Sequence, residues 1–416
     1  MRVLISGASI AGPVAAYWLA RSGAHVTVVE QAPALRKTGG HAVDLFRPAM
    51  EISERMGVLP RIQDRATGTT LLTVNRPWTS RIARIDYAKL VGVMSDRHVE
   101  IMRDDLSEIY YDAGRDDVEY LFGDRITAIA DDGAVTFEHA ASEKFDVVVG
   151  ADGLHSGVRR LVFGDDVPER FLGGYLAVVS VPKSLARDGE MNGFYEPRRV
   201  AMVYTAEHLD DARAVFIFRP ERPLDYDHRD VPRQRDQLRH AFAGMAGEVD
   251  SWLADLERTP AFYFDAITQL QMTSWSRGRV TLVGDAGYCP GPAVGGSTSL
   301  AVYGAYVLAH ELARTGGDYA AAFTAYEHTM LQPVLGSRSL AKVNAKTIVP
   351  ASRWGVNALV GIARLVSVLP TGVTQAVARL NDRGVRLYDT MPLPDYAESP
   401  GTVATPGNST RRLAEQ

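Results

Sequence analysis

The sequence predicts an α/β fold: a parallel, doubly wound unit interrupted by a mostly antiparallel sheet and closed by C-terminal helices. Three observations predict it. Residues 2–30 read as strand, glycine-bearing turn, helix and strand in the run RVLISGASIAGPVAAYWLARSGAHVTVVE. Between 171 and 271 long strand-like runs with alternating character dominate, as in antiparallel sheets with two unlike faces. At 279–286, RVTLVGDA, a continuous apolar run returns, which marks a strand buried on both faces. A βα pattern that resumes after a β-rich insert implies discontinuous domains.

Arg2 to Ser6 suits a buried parallel strand and breaks into Gly7-Ala8-Ser9-Ile10-Ala11-Gly12. Helical spacing of Val14, Tyr17, Trp18 and Leu19 follows; Gly23 ends the helix, and His25 to Val29 forms a second strand with Glu30 at its tip. This Rossmann-like order holds the pyrophosphate of a dinucleotide. Gly7 allows the tight turn, Gly12 lets helix and strand approach, and the free N–H groups of the helix N-terminus face the phosphates. Ser9 replaces the middle glycine of GxGxxG, and its hydroxyl is itself a phosphate donor. Ala11 and Gln31 complete the candidate set. Glu30 is placed to accept from the ribose hydroxyls, which favours a free 2′-OH. Any glycine-bearing βα turn shares part of this pattern, and the turn alone does not separate FAD from NAD.

Composition narrows the class. A length of 416 residues predicts two or three domains, and a net charge of −5 gives no reason to expect nucleic acid or an anionic membrane as partner. The single cysteine, Cys289, excludes an internal disulfide and fits the cytoplasm; it reads as a small buried thiol. No signal peptide opens the chain, and Gly355 to Leu369 is too short to span a bilayer and carries Arg364. The ten histidines show no HExxH or other close metal spacing, so no metal is expected.

Taken in order, the loop Ala32 to Gly40 carries Arg36 and Lys37 and leads to Asp44. A helix is expected over Arg47–Met56, short strands over Thr70–Val74 and Arg81–Ile85, and a strand over His98–Met102. Asp104 or Asp105 is expected to cap the helix that runs through Tyr111. A hairpin pairs Gly123–Ala130 with Ala134–Glu138. Strand Phe145–Val149 ends in Gly150-Ala151-Asp152-Gly153, with a helix over His155–Val162. One polar helical stretch, Val231–Glu257, interrupts the strands of the insert. After Gly284-Asp285-Ala286, a Pro/Gly-rich loop precedes helices near 299–315 and 319–347, the second kinked at Pro333. Residues 350–390 read as one or two more helices, and 398–416 as a disordered tail.

The GASIAG turn with Glu30, the DVVVGADG stretch at 146–153 and the GDA stretch at 284–286 are spaced as in a known family. The chain resembles, over about residues 1–345, the single-component FAD-dependent monooxygenases of the aromatic-hydroxylase class, which includes p-hydroxybenzoate hydroxylase and the tetracycline-inactivating enzymes. The resemblance implies FAD as cofactor, NADPH or NADH as reductant, O2 as co-substrate, a flavin C4a-hydroperoxide and hydroxylation of a small aromatic or polycyclic molecule. No protein nucleophile is required, because the cofactor carries the hard step. It implies that Asp152 and Arg159 serve the flavin diphosphate and the nicotinamide cofactor, and that Gly284 and Asp285 bind the ribityl chain. Pro292, Gly295, Gly296 and Ser297 then lie against the isoalloxazine, with a helix dipole at its N1–C2=O edge. Arg103 reaches the ribityl or phosphate region, Asp44 lies beside the flavin, and Arg36 or Lys37 lies near the nicotinamide. Tyr288 and Ser297 stand where the family commonly has histidine and glycine.

The implied domains are 1–75, 97–170 and 272–345 for FAD, 76–96 and 171–271 for substrate, and 346–397 for C-terminal helices. By period-2 alternation the candidate pocket residues are Tyr175, Phe194, Tyr204, Phe216 and Phe218, each also a plain core candidate. Two alternatives stay open: another flavin-dependent oxidoreductase of this fold, or a non-catalytic protein that binds FAD and a small molecule. The halogenase signature WxWxIP is absent at Trp275-Ser276-Arg277. A monomer or a homodimer is expected.

Overall fold

Apolar runs become strands where the sequence predicts them, and they divide between two large sheets. The computed structural model describes residues 1–35, 40–95, 97–254, 256–294, 296–370, 372, 386–394 and 396. Arg36, Lys37, Gly295 and the 398–416 tail lie outside the described residues.

The chain opens with β1 (Arg2–Ser6), α1 (Ala11–Arg21) and β2 (His25–Glu30). β3 (Ala42–Phe46), α2 (Arg47–Arg55) and α3 (Leu59–Asp64) follow, then β4 (Leu71–Arg76), β5 (Thr79–Asp86) and α4 (Tyr87–Gly92). β6 (His98–Met102) runs into α5 (Arg103–Gly114) and β7 (Glu119–Phe122). A small sheet of β8 (Ile126–Ile129), β9 (Ala134–Phe137) and β10 (Glu143–Lys144) precedes β11 (Val147–Gly150) and α6 (Gly157–Phe163). The insert holds β12 (Glu169–Pro182), β13 (Glu190–Glu196), β14 (Arg199–Tyr204), β15 (Asp211–Phe218), α7 (Val231–Phe242), α8 (Gly247–Leu253) and β16 (Phe262–Leu270). β17 (Ser276–Arg277), β18 (Val280–Leu282), α9 (Asp285–Tyr288), α10 (Ser297–Arg314), α11 (Tyr319–Thr347) and α12 (Arg353–Val368) complete the order.

The first sheet runs β17-β18-β11-β1-β2-β7 and is parallel except for β17. Ser6 pairs with Gly150, and Gly150 with Leu282. The turns after β1, β11 and β18 therefore leave the sheet side by side at its carboxyl edge, where open α/β sheets bind ligands. The second sheet runs β16-β12-β15-β14-β13-β4-β5; its pairings are antiparallel except β13 with β4. Residues 71–75 thus pair in this sheet, although the sequence reading grouped them with the first unit.

Two expectations need correction. Neither Asp104 nor Asp105 caps α5: β6 enters the helix directly with Met102 at the cap position, and Asp104 instead accepts from the Gly40 backbone N–H at 2.6 Å. The polar stretch 231–257 is two helices, because the chain turns through Ala243 and left-handed Gly244 between them. Pro333 lies inside α11, which runs on both sides of it as the sequence reading placed it. No helix among the described residues is long and apolar enough to cross a membrane.

Tyr288 shows how α9 locks onto α10 and α11. Its hydroxyl accepts from Tyr326 at 3.0 Å, and Trp275 meets its ring edge-on at 5.3 Å. A Cβ at Gly304 would stand 1.9 Å from the Tyr288 hydroxyl oxygen. The tyrosine thus points into the core, in the space that Gly304 leaves open. Gly304→Ala is expected to destabilise the protein by about 1–3 kcal/mol through overpacking. The same change in a Tyr288→Phe background is expected to cost less than half as much, measured by urea unfolding; equal costs in both backgrounds contradict the contact.

Candidate functional site

Close backbone approaches bring the three motifs together. Gly7 has φ +107°, its N–H donates to Val29 O at 2.8 Å, and a Cβ there would lie 2.5 Å from the Ala151 carbonyl oxygen. No side chain fits between the first turn and the DG stretch. Gly284 lies against Ala11 and Ala301, so the GD stretch touches the N-terminus of α1. Arg159, buried, donates to Ala286 O at 2.9 Å and to Leu154 O at 2.5 Å, tying the second motif to the third. Its guanidinium is committed to these carbonyls inside the protein.

At the adenosine end, the Glu30 carboxylate accepts from the Ala8 and Ala32 backbone N–H groups, each at 2.9 Å, and so sits over the turn. Gln31 beside it is exposed. Ser9 Oγ accepts from Arg103 at 3.1 Å, and Ser107 donates to Ser9 O at 2.9 Å, which fastens α5 to the turn. Asp152 accepts from Ser156 Oγ at 2.5 Å and from the Val158 N–H at 3.1 Å. Burial raises its carboxyl, against those hydrogen bonds.

At the other end Asp285 is half-buried at the start of α9. Burial raises its carboxyl; the Arg103 charge and a hydrogen bond from the Cys289 thiol oppose that rise. The Cys289 thiol is itself pushed up by burial and by Asp285, which keeps it protonated rather than a nucleophile. The loop beyond it is constrained: Ala293 has φ +61°, strained for a residue with a Cβ, and Gly296 has φ +64° as the cap of α10. Tyr388 donates to Gly296 O at 3.0 Å, and Phe46 N–H donates to Ser299 Oγ at 2.9 Å, pinning Ser297 and the helix N-terminus against β3. Pro292 lies in the same loop; Gly295 lies outside the described residues. Asp44, on β3, accepts from His98 Nε2 at 2.6 Å and faces Glu100 across the strand pair.

The pocket prediction is corrected for four of five residues. Tyr175, Phe216 and Phe218 belong to the core on the outer face of the second sheet, with Phe242 of α7 and Trp252 of α8; Phe194 packs against the same cluster. Only Tyr204 lies on the inner face, where its hydroxyl accepts from the Ala42 N–H at 2.7 Å. Alternation shows which residues share a face but not which layer covers it. The inner face carries Leu176, Val178, Val215, Ile217 and Ile267, packed in one core with Met102 and with Val294 of the loop before α10. A cavity of about 480 Å³ beside Arg198, Phe218, Arg219 and Gln237 opens on the outer side and is separate from the motifs.

Sequence reading also missed a polar hub. Asp265 on edge strand β16 accepts from Tyr226 at 2.5 Å and pairs with His155 Nε2 at 2.8 Å. His155 stacks on His228 at 4.1 Å. An aspartate inside FYFDAITQL was the one available signal. Among the described residues no group of three His, Cys, Asp or Glu is arranged to hold a metal.

Residues 1–329 match the family model described as an FAD binding domain. The chain belongs to that family. A flavin-dependent monooxygenase of Legionella longbeachae is 35% identical over 334 residues, covering 78% of this chain and 84% of that protein. An uncharacterized Mycobacterium tuberculosis protein is 43% identical over 333 residues, covering 78% and 88%. The crystal structure of tetracycline destructase Tet(51) superposes with a TM-score of 0.80 at 30% identity, covering 95% of this chain and 99% of that one. This FAD-domain protein is a flavin-dependent monooxygenase, an oxidoreductase of the aromatic-hydroxylase class.

His41 gives a pH test of the site's electrostatics. Burial and then the Arg103 charge push its imidazole from the ordinary 6.5 down to about 4. A base with a depressed folded pKa contributes stability that is present above 6.5 and lost as pH falls toward 4, because the unfolded state then binds the extra proton. Wild-type protein is expected to lose more of its urea midpoint between neutral pH and pH ~4.5 than His41→Gln does. Parallel losses contradict a buried neutral His41.

Proposed function

We propose that this chain is an NAD(P)H-dependent monooxygenase that hydroxylates a small aromatic or polycyclic molecule with O2. One observation carries the reading: three chain-separated turns meet at one sheet edge and open toward the apolar inner face of a second sheet. The residues present fit FAD. The turn at Gly7 has no room for a side chain, and Asp285 is a half-buried carboxyl raised by burial, an acceptor suited to hydroxyl donors. When bound, FAD supplies transfer of electrons from a reduced nicotinamide to O2 and of oxygen to substrate.

Each part of the chain has a task. Gly7, Ser9, Ala11, Gly12 and the N-terminus of α1 receive the pyrophosphate, and Glu30 takes the ribose hydroxyls. Asp152 and Arg159 fix the DG stretch beside it, and Asp285 accepts from the ribityl chain. Arg103, bonded to Ser9 and opposing the rise of the Asp285 carboxyl, bridges the two ends. The N-terminus of α10 at Ser297 places its dipole where negative charge on a reduced ring is favoured. Apolar residues of the inner sheet face exclude water, and Tyr204 on that face and Asp44 on β3 give few, fixed polar contacts that orient a substrate.

The decisive experiment is oxidation of NADPH or NADH in the presence of aromatic and polycyclic candidates under 18O2. A stimulating substrate is expected to yield product carrying one labelled oxygen; a product whose new oxygen is unlabelled, and so drawn from water, overturns the assignment. Asp285→Ala removes a charged acceptor worth roughly 1.5–3 kcal/mol, so FAD retention on gel filtration is expected to fall about tenfold or more. Arg103→Ala is expected to impair FAD binding or reduction with circular dichroism unchanged. Wild-type occupancy and reduction in either variant removes that residue from the site.

A further inference from the structure

Helix α12 has two apolar faces, and among the described residues only one is covered. Val356, Val360 and Ala363 pack inward against the face that includes Ala83 and Ile85 of edge strand β5. The Asp86 N–H donates to Ser367 Oγ at 2.8 Å, Lys89 Nζ donates to Ser367 O at 2.9 Å, and Arg76 donates to Asn357 at 2.9 Å. Outward at helical spacing run Trp354, Ala358, Leu365 and Val368, with Ile362 beside them. Trp354 is 81% exposed, Ile362 63%, Leu365 56% and Val368 75%. A helix with an apolar outer stripe as well as an apolar inner face is suited to a second apolar contact, and scattered exposure does not explain a stripe running the length of α12.

The exposed charges beside this stripe are arginines, and the half-buried Asp86 carboxylate is held as the cap of α4 by the Lys89 N–H. Arg353 and Arg364 of α12 and Arg81 and Arg84 of β5 are exposed, and none pairs with a carboxylate among the described residues. Between Glu327 and Asp382 the sequence contains no acidic residue. The overall charge of −5 therefore resides elsewhere on the chain. A second copy of the chain would bring like charges together on this face, whereas an anionic lipid surface complements it. We propose that the outer face of α12 rests on an anionic bilayer. The helix lies in the plane of the interface, its apolar residues at the headgroup–acyl boundary and its arginines toward lipid phosphates. Trp354 sits where aromatic rings favour the interface. This contact is peripheral and independent of the oxygenase reading.

The test is co-sedimentation of the FAD-loaded full chain with vesicles of phosphatidylcholine alone and of equimolar phosphatidylcholine and phosphatidylglycerol. Binding is expected to the anionic vesicles only, weakened by salt. Leu365→Glu and Ile362→Glu, both at exposed positions, are expected to reduce it about tenfold or more with the flavin spectrum unchanged. Tryptophan emission should shift to the blue on binding in wild type and not in Trp354→Phe. Absence of binding, or equal binding by the glutamate variants, overturns the proposal. So does a dimer in light scattering that Leu365→Glu dissociates, which assigns the face to a second copy.

Discussion

A carbonyl oxygen 2.5 Å from where a Cβ of residue 7 would stand is the constraint on which the rest of the structure depends. It brings the turn after β1 against the end of β11, with no room for a side chain between them. The neighbouring contact of Gly284 with Ala11 closes the third turn onto the first. Pyrophosphate recognition needs such a surface, because the phosphates must reach the main chain. Arg159 then holds two of the turns through their carbonyls, a charge held in the interior by hydrogen bonds to Ala286 and Leu154.

The second sheet works by being unlike on its two sides. Its outer face is an aromatic core sealed by α7 and α8, which gives rigidity. Its inner face is aliphatic and shares a core with Val294 of the loop that would lie against the flavin ring. Rigid backing behind an apolar wall is what a site needs to hold a substrate in one orientation and to keep water away from a reactive oxygen species. The C-terminal turn adds to this arrangement: Tyr388 reaches Gly296 O and stacks on Phe46, so the end of the chain supports the loop between β18 and α10.

Local chemistry was legible in the sequence, and layer assignment was not. β1, α1 and β2 follow from an apolar run, a glycine turn and a 3.6-residue repeat, all within thirty residues. Asp285 was readable because a carboxylate follows an apolar strand and a glycine. By contrast, Tyr175 and Phe216 gave the correct alternation but the wrong side, since α7 and α8 decide which face is covered. The His155–Asp265 pair joins residues 110 apart in sequence, and nothing local to either announces the other. Asp104 had the composition of a helix cap, yet the direct entry from β6 left it free to hold Gly40. The space that the Tyr288 hydroxyl occupies is left open by Gly304, on a different helix.

The most direct test of the account is a crystal structure of the chain with FAD. It predicts the adenosine at Glu30, the pyrophosphate at the N-terminus of α1, the ribityl chain at Asp285 and the ring against residues 292–297, facing the inner side of the second sheet. Density for the ring on the outer face beside α7, or a dinucleotide that ends at the first turn without reaching Asp285, contradicts it.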